Sequence, residues 1–384
     1  MDDWQNGGFG LYIHWPFCQS KCPYCDFNSH VSAQIDQQAW ARAYLSEIDR
    51  IAAQTEGRLL NTVFFGGGTP SLMDPDLVAA LLERIRNRWT TANDLEVTLE
   101  ANPGSVEAGR FRAYAEGGVN RISMGIQALD DEDLRRLGRL HSVSEARAAF
   151  DIARDAFDRV SFDLIYARQH QTLQAWEQEL RTALGMAVDH LSLYQLTIEP
   201  GTAFGARAAQ GGLKGLPDDD ISADMYLITQ DICADHGMPA YEVSNHARPD
   251  AASRHNLIYW RGGDYAGIGP GAHGRLTLNN MRHATQTPRA PGAWLDQVAR
   301  LGHGETEREI VPPEEQALEY LMMCLRLSEG LEIERYQNLA GKSLPQDKIS
   351  DLIEHGLMGR NETHLWATTT GRPVLNGLLR SLVD

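Results

Sequence analysis

Residues 10–25 read Gly10-Leu-Tyr-Ile-His-Trp-Pro-Phe-Cys18-Gln-Ser-Lys-Cys22-Pro-Tyr-Cys25. The first five residues form an apolar run with aromatic and β-branched side chains, which is typical of a buried strand. The remainder has no regular period and carries three of the chain's five cysteines within eight residues. The stretch therefore predicts a strand followed directly by a loop that presents three thiols.

Similar apolar runs recur downstream and alternate with segments of helical period. The further predicted strands are Thr62 to Phe65, Leu95 to Glu100, Asn120 to Met124, Val160 to Ile165 and His190 to Ile198. The predicted helices are Asp36 to Gln54, Asp76 to Trp89, Glu107 to Glu116, Ser144 to Phe157, Leu173 to Met186 and Asp219 to His236. Six alternating units predict parallel strands with right-handed crossovers. The expected fold class is α/β, either a doubly wound sheet or a full or partial (β/α) barrel.

The pattern changes after about Tyr241. Six glycines between Gly262 and Gly274 predict a closely packed loop rather than a regular helix or a central strand. A helix from Pro312-Pro313 to about Leu327 and a hairpin over 357–366 then predict a small winged-helix-like α/β module. The expected domains are 1–240, a Gly-rich connecting segment over 241–310, and the terminal module over 311–384.

Composition and charge limit the class of protein. Of the 384 residues, 42% are hydrophobic and 23% are charged, as in soluble globular proteins. The net charge of -17 disfavours binding to nucleic acid, whose affinity for proteins depends on cations. Residues 313–384 hold 7 Lys and Arg against 11 Asp and Glu. This module is therefore expected to pack against the rest of the chain or to act as a lid, rather than to bind DNA. No apolar run suits a transmembrane segment or a signal peptide, so a cytoplasmic location is expected.

The three clustered thiols suit a metal because thiolates are soft ligands. A structural zinc ion takes four protein ligands, usually as two separated pairs, and only His14 or His30 could complete such a site, awkwardly. A four-iron cluster held by three thiolates instead leaves one iron open for a small molecule. The spacing therefore favours an iron–sulfur cluster, with zinc as the alternative. The two isolated cysteines are expected to be buried small hydrophobes: Cys233 and Cys324.

Polar and glycine-rich motifs fall at the ends of the predicted strands. Gly66-Gly67-Gly68-Thr69-Pro70 follows the second strand, and Glu100 closes the third. Gln127 follows the fourth strand, and Asp163 lies near the end of the fifth. Because parallel strands of a barrel end at one rim, these segments and the cysteine loop are expected to surround one pocket. The triple glycine would let backbone approach a ligand closely, and it is not a phosphate-binding Walker loop.

The Cys-x3-Cys-x2-Cys loop, with Tyr24 before its last cysteine, resembles the signature of the radical S-adenosylmethionine (SAM) superfamily. The resemblance implies a partial (β/α) barrel and a [4Fe-4S] cluster whose ligands are Cys18, Cys22 and Cys25. In that family the open iron chelates the amino and carboxylate groups of SAM, and an electron from the cluster cleaves SAM to a 5′-deoxyadenosyl radical. Tyr24 matches the aromatic residue that flanks the adenine.

The resemblance also assigns cofactor contacts to residues at the strand ends. The methionyl part of SAM would contact Glu100, and its carboxylate would pair with Arg139, whose planar guanidinium suits that task. The ribose would meet Gln127 and Asp163. The resemblance assigns the glycine turn to the methionyl amino group. It also matches four residues to substrate or cofactor contacts: Tyr12, Gly67, Gly68 and Thr69. The sequence departs from the family pattern close to Asp163. Residues 167–170 are Ala-Arg-Gln-His, where relatives usually have Gly-Leu-Pro-Gly, and a change in the local turn is expected.

The chain resembles the oxygen-independent coproporphyrinogen III dehydrogenases and the related HemW heme chaperones in three sequence motifs: Tyr-x-His-x-Pro-Phe-Cys, Gly-Gly-Gly-Thr-Pro and Gly-Ile-Gln. It also resembles them in having a HemN-like terminal module. The dehydrogenases continue the cysteine motif as Cys-x-Cys, whereas Phe27 stands at that position here. The HemW group is marked by His-Asn-x-x-Tyr-Trp, and this chain has His255-Asn-Leu-Ile-Tyr259-Trp260. Both features favour the chaperone group.

The resemblance to the HemW group implies a chaperone that binds heme, a [4Fe-4S] cluster and SAM, and that hands heme to apo-hemoproteins. His255 would ligate the heme iron, and Tyr259 and Trp260 would offer flat surface to the macrocycle. Loading would be aided by the cluster or by dimerisation, so a homodimer is an open expectation. Without the resemblance, such a histidine is more often a satisfied core residue. The alternatives are a coproporphyrinogen III dehydrogenase of porphyrin biosynthesis, or a protein that uses heme only incidentally.

Overall fold

A computed structural model describes residues 2–32 and 34–383. The strands in chain order are β1 Phe9–Trp15, β2 Phe17–Cys18, β3 His30–Val31, β4 Leu59–Gly67, β5 Thr90–Ala101, β6 Arg121–Gln127, β7 Arg159–Tyr166, β8 His190–Gln195, β9 Asn245–Ala247, β10 Asp264–Ile268, β11 His273–Leu278, β12 Met281–Gln286, β13 Glu307–Ile310, β14 Leu331–Glu332, β15 Met358–Arg360 and β16 His364–Ala367. The α-helices are α1 Gln37–Gln54, α2 Pro75–Arg88, α3 Ala108–Gly117, α4 Asp131–Arg136, α5 Val143–Ala156, α6 Leu173–Met186, α7 Ala203–Ala209, α8 Asp219–Asp235, α9 Arg254–Trp260, α10 Pro291–Leu301, α11 Pro313–Cys324, α12 Ile333–Ala340, α13 Gln346–Glu354 and α14 Leu375–Val383.

The predicted strand–helix units build one large, mostly parallel sheet. Its strand order is β13-β12-β11-β10-β1-β4-β5-β6-β7-β8-β9. Strands β1, β4, β5, β6, β7 and β8 pair in parallel in this order, and β10 pairs in parallel with the other edge of β1. The sheet is open because its end strands, β13 and β9, do not pair with each other. The predicted α/β fold is confirmed, and a closed barrel is excluded.

The first helix forms for the reason that its sequence suggests. The Asp36 carboxylate accepts hydrogen bonds from the backbone nitrogens of Gln38 and Ala39, which satisfies two of the donors exposed at the amino end of α1. Its apolar face buries Trp40 and Tyr44 against the sheet. The helix thereby covers the parallel strands whose ends carry the candidate site.

The expectation of a loop in the Gly-rich segment was wrong. Asp264–Ile268 is the strand β10, which lies beside β1 in the middle of the sheet. A Cβ at Gly267 would collide with the backbone carbonyl oxygen of His273, and one at Gly263 would lie 2.8 Å from the Gly7 carbonyl carbon. The glycines therefore allow neighbouring backbones to approach closely. They do not mark a break in regular structure.

The terminal module has a small core of its own, formed by α11 to α14 and a three-stranded sheet in the order β14-β16-β15. The predicted hairpin is present as β15 and β16, and the predicted helix ends at Cys324 rather than near residue 327. The Arg335 guanidinium holds the module to the start of the chain through Asp3 at 2.7 Å. No helix within 2–32 and 34–383 has both the length and the apolar character needed to cross a membrane.

Candidate cluster and cofactor site

The cysteine loop and the carboxyl ends of the central strands form one pocket of about 140 Å³. Parallel pairing brings these ends together, since β4 ends at Gly67, β5 at Ala101 and β6 at Gln127. The candidate residues that line the pocket are Cys18, Cys22, Tyr24, Cys25, Gly67, Gly68, Thr69, Glu100, Gln127, Arg139 and Asp163. The geometry thus assembles the residues that the sequence placed at strand ends, together with Arg139 from the turn after α4.

Each of the three half-buried thiols has a polar neighbour. Thr69 Oγ1 donates a hydrogen bond to Cys18 Sγ at 3.4 Å, and Arg139 Nη1 donates one to Cys22 Sγ at the same distance. Cys25 Sγ lies 4.0 Å from a hydroxyl, that of Ser29. Burial raises the pKa of the Cys18 and Cys25 thiols, and the hydroxyls of Thr69 and Ser29 only partly offset this shift. Cys233 and Cys324 are buried, as predicted.

The thiols of the cysteine loop can be compared with the ligands that the two kinds of metal centre require. Among the described residues, no group of three or more His, Cys, Asp or Glu side chains converges tightly enough to hold a single metal ion. A structural zinc site requires such convergence. In a four-iron cluster each thiolate binds a different iron, so the sulfurs need not meet at one point. Three thiols are the ligand number of a four-iron cluster with one open iron.

Two half-buried acidic side chains, Glu100 of β5 and Asp163 of β7, line the pocket with the thiols, and β6 lies between their strands. Burial, reinforced by the nearby Asp163 charge, raises the pKa of Glu100 to about 8 although the Gly67 amide donates to its Oε2 at 3.1 Å. Burial also raises the pKa of Asp163 to about 6, while the hydroxyls of Ser192 and Ser123 partly offset the shift. Asp163 Oδ1 has no hydrogen-bond partner among the described residues. A buried acceptor without a partner is expected where a ligand supplies the donor.

Arg139 is held so that part of its guanidinium stays available. Its Nη2 donates to the Gly125 carbonyl oxygen at 2.7 Å, while its buried Nε has no partner among the described residues. Gln127, at the end of β6, adopts a φ of 76°, a left-handed conformation that costs about 1–2 kcal/mol outside glycine. Local strain of this kind is frequent at ligand sites. No pattern in the sequence predicted this conformation of Gln127.

The sequence departure after Tyr166 is accommodated by an arginine. Ala167 and His170 adopt positive φ values of 57° and 63°, where relatives in the resembling family carry glycine. Arg168 binds Glu179 at 2.6 Å and Asp133 at 2.8 Å, and it donates to the Ile165 carbonyl oxygen at 2.6 Å. These bonds hold the turn without glycine. Asp163 accordingly remains in the pocket wall.

A second cavity, of about 560 Å³, lies between the sheet and the terminal module. Tyr259 and Trp260, the residues that the resemblance assigns to a macrocycle surface, both line it. Tyr12 lines this cavity rather than the cysteine pocket. Phe27, Gly67 and Glu100 line both spaces. The two candidate binding spaces therefore share a wall.

His255 does not line this cavity. Its ring is 1% exposed, and both nitrogens have partners: Nδ1 lies 2.6 Å from Thr62 Oγ1, and Nε2 lies 2.7 Å from the Tyr259 hydroxyl. The ring also stacks on Phe64 at 5.1 Å between centroids, and burial lowers its pKa to about 3. The structure places His255 as a satisfied core residue, and iron ligation would require one of these bonds to break.

The open parallel sheet and the three-cysteine pocket define a radical SAM protein, and residues 12–183 match the Radical SAM superfamily. Residues 311–374 match the HemN C-terminal domain. The chain is 38% identical over 375 residues to the heme chaperone HemW of Escherichia coli (strain K12), covering 96% of both chains. It is also 38% identical to the mitochondrial radical S-adenosyl methionine domain-containing protein 1 of Bos taurus, covering 97% of this chain and 87% of that protein. The chain belongs to the HemW family.

A solved structure supports the same fold. Coproporphyrinogen III oxidase (HemN) from Escherichia coli, described as a radical SAM enzyme, superposes with a TM-score of 0.81. The match covers 98% of this chain and 90% of that one at 22% sequence identity. The similarity therefore extends through the terminal module. Membership of the superfamily implies a [4Fe-4S] cluster and SAM.

Proposed function

We propose that this chain is a heme chaperone, which binds heme beside a cluster and SAM and transfers the heme to apo-hemoproteins. The observation that carries the proposal is the wall shared by the cysteine pocket and the larger cavity, formed by Phe27, Gly67 and Glu100. Family membership supports the same function, because the relatives of Escherichia coli and Bacillus subtilis are named heme chaperones. The proposal includes a cytoplasmic location and heme loading that is aided by the cluster or by formation of a homodimer.

The cysteine pocket fits a cluster and SAM. Cys18, Cys22 and Cys25 would hold the cluster, which supplies an electron when bound. The unpartnered Nε of Arg139 would pair with the methionyl carboxylate, and the unpartnered Oδ1 of Asp163 would accept a ribose hydroxyl. The remaining side chains would position the ligand, with Tyr24 beside the adenine, Gln127 at the ribose, and Glu100 with Gly67, Gly68 and Thr69 at the methionyl end.

The larger cavity fits a flat, mainly apolar ligand that carries carboxylates. Tyr259, Trp260 and Met322 present aromatic and thioether surface, which suits a macrocycle. Arg275 lines the same cavity with a partly exposed guanidinium that can bind a propionate, whereas the guanidinium of Arg282 is already bound to Asp264. A volume of about 560 Å³ lies within the usual range for sites that enclose a cofactor.

Direct transfer distinguishes a chaperone from a protein that merely binds heme. Reconstituted protein is titrated with heme and then mixed with a panel of apo-hemoproteins, while a large excess of apomyoglobin measures passive release. Transfer to an acceptor that is faster than passive release, and that rises with acceptor concentration, is the expected result. Transfer limited by passive release for every acceptor would contradict the proposal.

The shared wall also favours a second candidate, a coproporphyrinogen III dehydrogenase. A radical formed in the cysteine pocket would arise next to a porphyrinogen in the larger cavity, and would take hydrogen from a propionate side chain. Phe27 argues against this activity, since the dehydrogenases of the resembling group carry cysteine at that position. Anaerobic incubation with SAM, reductant and coproporphyrinogen III decides between the two. Formation of protoporphyrinogen would overturn the chaperone proposal.

A further inference from the structure

Two histidines line the larger cavity, and they differ in whether their ring nitrogens are free. His14 is fully engaged, since its Nδ1 lies 3.0 Å from the Tyr12 hydroxyl and its Nε2 lies 2.9 Å from the Asn28 carbonyl oxygen. His273 is the first residue of β11, and its side chain is exposed to the cavity. Its ring forms no hydrogen bond with any residue that the structure describes, and its pKa is lowered by burial and by Arg275 and Arg289. A neutral imidazole with free nitrogens is the form that binds iron.

We propose that His273 is the residue that ligates the iron of heme in this cavity. The inference rests on the proposed function and deepens it, because it assigns the iron ligand to a residue outside the His-Asn-x-x-Tyr-Trp motif. An imidazole nitrogen of His273 donates its lone pair to iron, and no bond within the protein has to break. His255 would instead have to give up the hydrogen bond to Thr62 or to Tyr259.

The surroundings of His273 suit the rest of the ligand. Arg275 follows two residues later on the same strand and therefore projects from the same face of the sheet. Its Nη2 lies 2.8 Å from Glu319 of α11, and its side chain keeps 23% of its surface exposed, so a propionate can reach it. Met322 and Met323 line the cavity from α11. Their thioether groups add polarizable apolar surface to the same space.

The test compares ferric heme titrations of the reconstituted wild-type protein with those of His273→Ala, followed by absorbance and electron paramagnetic resonance. The wild type is expected to bind heme with nitrogen ligation. His273→Ala is expected to lose that signature and about tenfold or more in affinity, and added free imidazole should restore the signature. His355→Ala, which changes an exposed histidine directly after α13, is the matched control and should behave as the wild type.

The outcomes separate the inference from the function on which it rests. If His273→Ala keeps the nitrogen-ligated spectrum and the wild-type affinity, the assignment is overturned while the chaperone proposal stands. If the wild type binds no stoichiometric heme, both fail. His255→Ala provides a second measurement: wherever this variant folds, it should retain nitrogen ligation, and loss of that ligation with His273 intact would overturn the assignment.

Discussion

The amide nitrogen of Gly67 lies 3.1 Å from Oε2 of Glu100, at the ends of the neighbouring strands β4 and β5. This bond orients the carboxyl group toward the cysteine pocket and lowers its pKa, yet burial outweighs it and the pKa stands at about 8. Near neutral pH the ligand-free protein therefore keeps Glu100 largely protonated. A bound cation would favour the ionised form, because opposite charges attract strongly where water is excluded.

SAM affinity should consequently depend on pH. Glu100 and Asp163 have pKa values of about 8 and 6, so at lower pH a proton must leave when the cationic ligand binds. We expect the affinity to rise by up to about tenfold per pH unit as the pH approaches 8. Titration calorimetry of wild type and Glu100→Gln measures this, and the variant controls for ionisation of SAM itself. Equal pH slopes in the two proteins would show that Glu100 does not face the ligand.

The same raised pKa affects the free energy of unfolding. The folded protein holds a proton on Glu100 that the unfolded chain releases above its ordinary pKa of 4.5, so this group's contribution to stability declines as the pH rises from about 4.5 to 8. Glu100→Gln should therefore stabilise the ligand-free protein relative to wild type at pH 8.5, with a smaller difference at pH 5.5. The difference should grow by at most about 1.4 kcal/mol per pH unit. Urea unfolding at the two pH values checks the sign, and a pH-independent difference would contradict it.

Gly67→Ala should damage the pocket directly. A Cβ there would lie 2.5 Å from Cε1 of His14, and the φ of +112° is strained for any residue with a side chain. We expect a loss of about 1–3 kcal/mol in unfolding free energy and a loss of SAM binding by the folded fraction. Gly185→Ala in helix α6 is the control, because the added methyl group would have no neighbouring atom within 4 Å. This substitution should leave the free energy of unfolding unchanged or raise it. Wild-type SAM affinity in Gly67→Ala would contradict the assigned role.

Arg168→Ala should show how much the unusual turn depends on one guanidinium. The substitution leaves the carboxylates of Asp133 and Glu179 without their buried partner, which typically costs about 3–5 kcal/mol. Chemical denaturation measures the loss. Arg181→Ala removes an exposed pair with Glu177 on the surface of α6 and should cost about 0.5 kcal/mol or less. Similar small losses in both variants would mean that Arg168 does not hold the turn.

The parallel units and the convergence of the pocket residues were predictable because both follow from local pattern and strand direction. Alternating periodicity predicts the units, and parallel strands bring Gly67, Glu100 and Gln127 to one edge. β10 was missed because Gly267 reads locally as a strand breaker, whereas its role depends on how closely a neighbouring strand packs. The environment of His255 was equally hidden, since its partner Thr62 is 193 residues away in sequence.

The most direct measurement of the central claim is anaerobic iron and acid-labile sulfide analysis of reconstituted wild type and Cys22→Ser. The three-thiolate pocket predicts about four irons and four sulfides per wild-type chain, with loss of the cluster absorbance in Cys22→Ser. Cys233→Ala, which changes a buried cysteine outside the pocket, should keep the full complement. One zinc per chain, or a full four-iron complement in Cys22→Ser, would contradict the account.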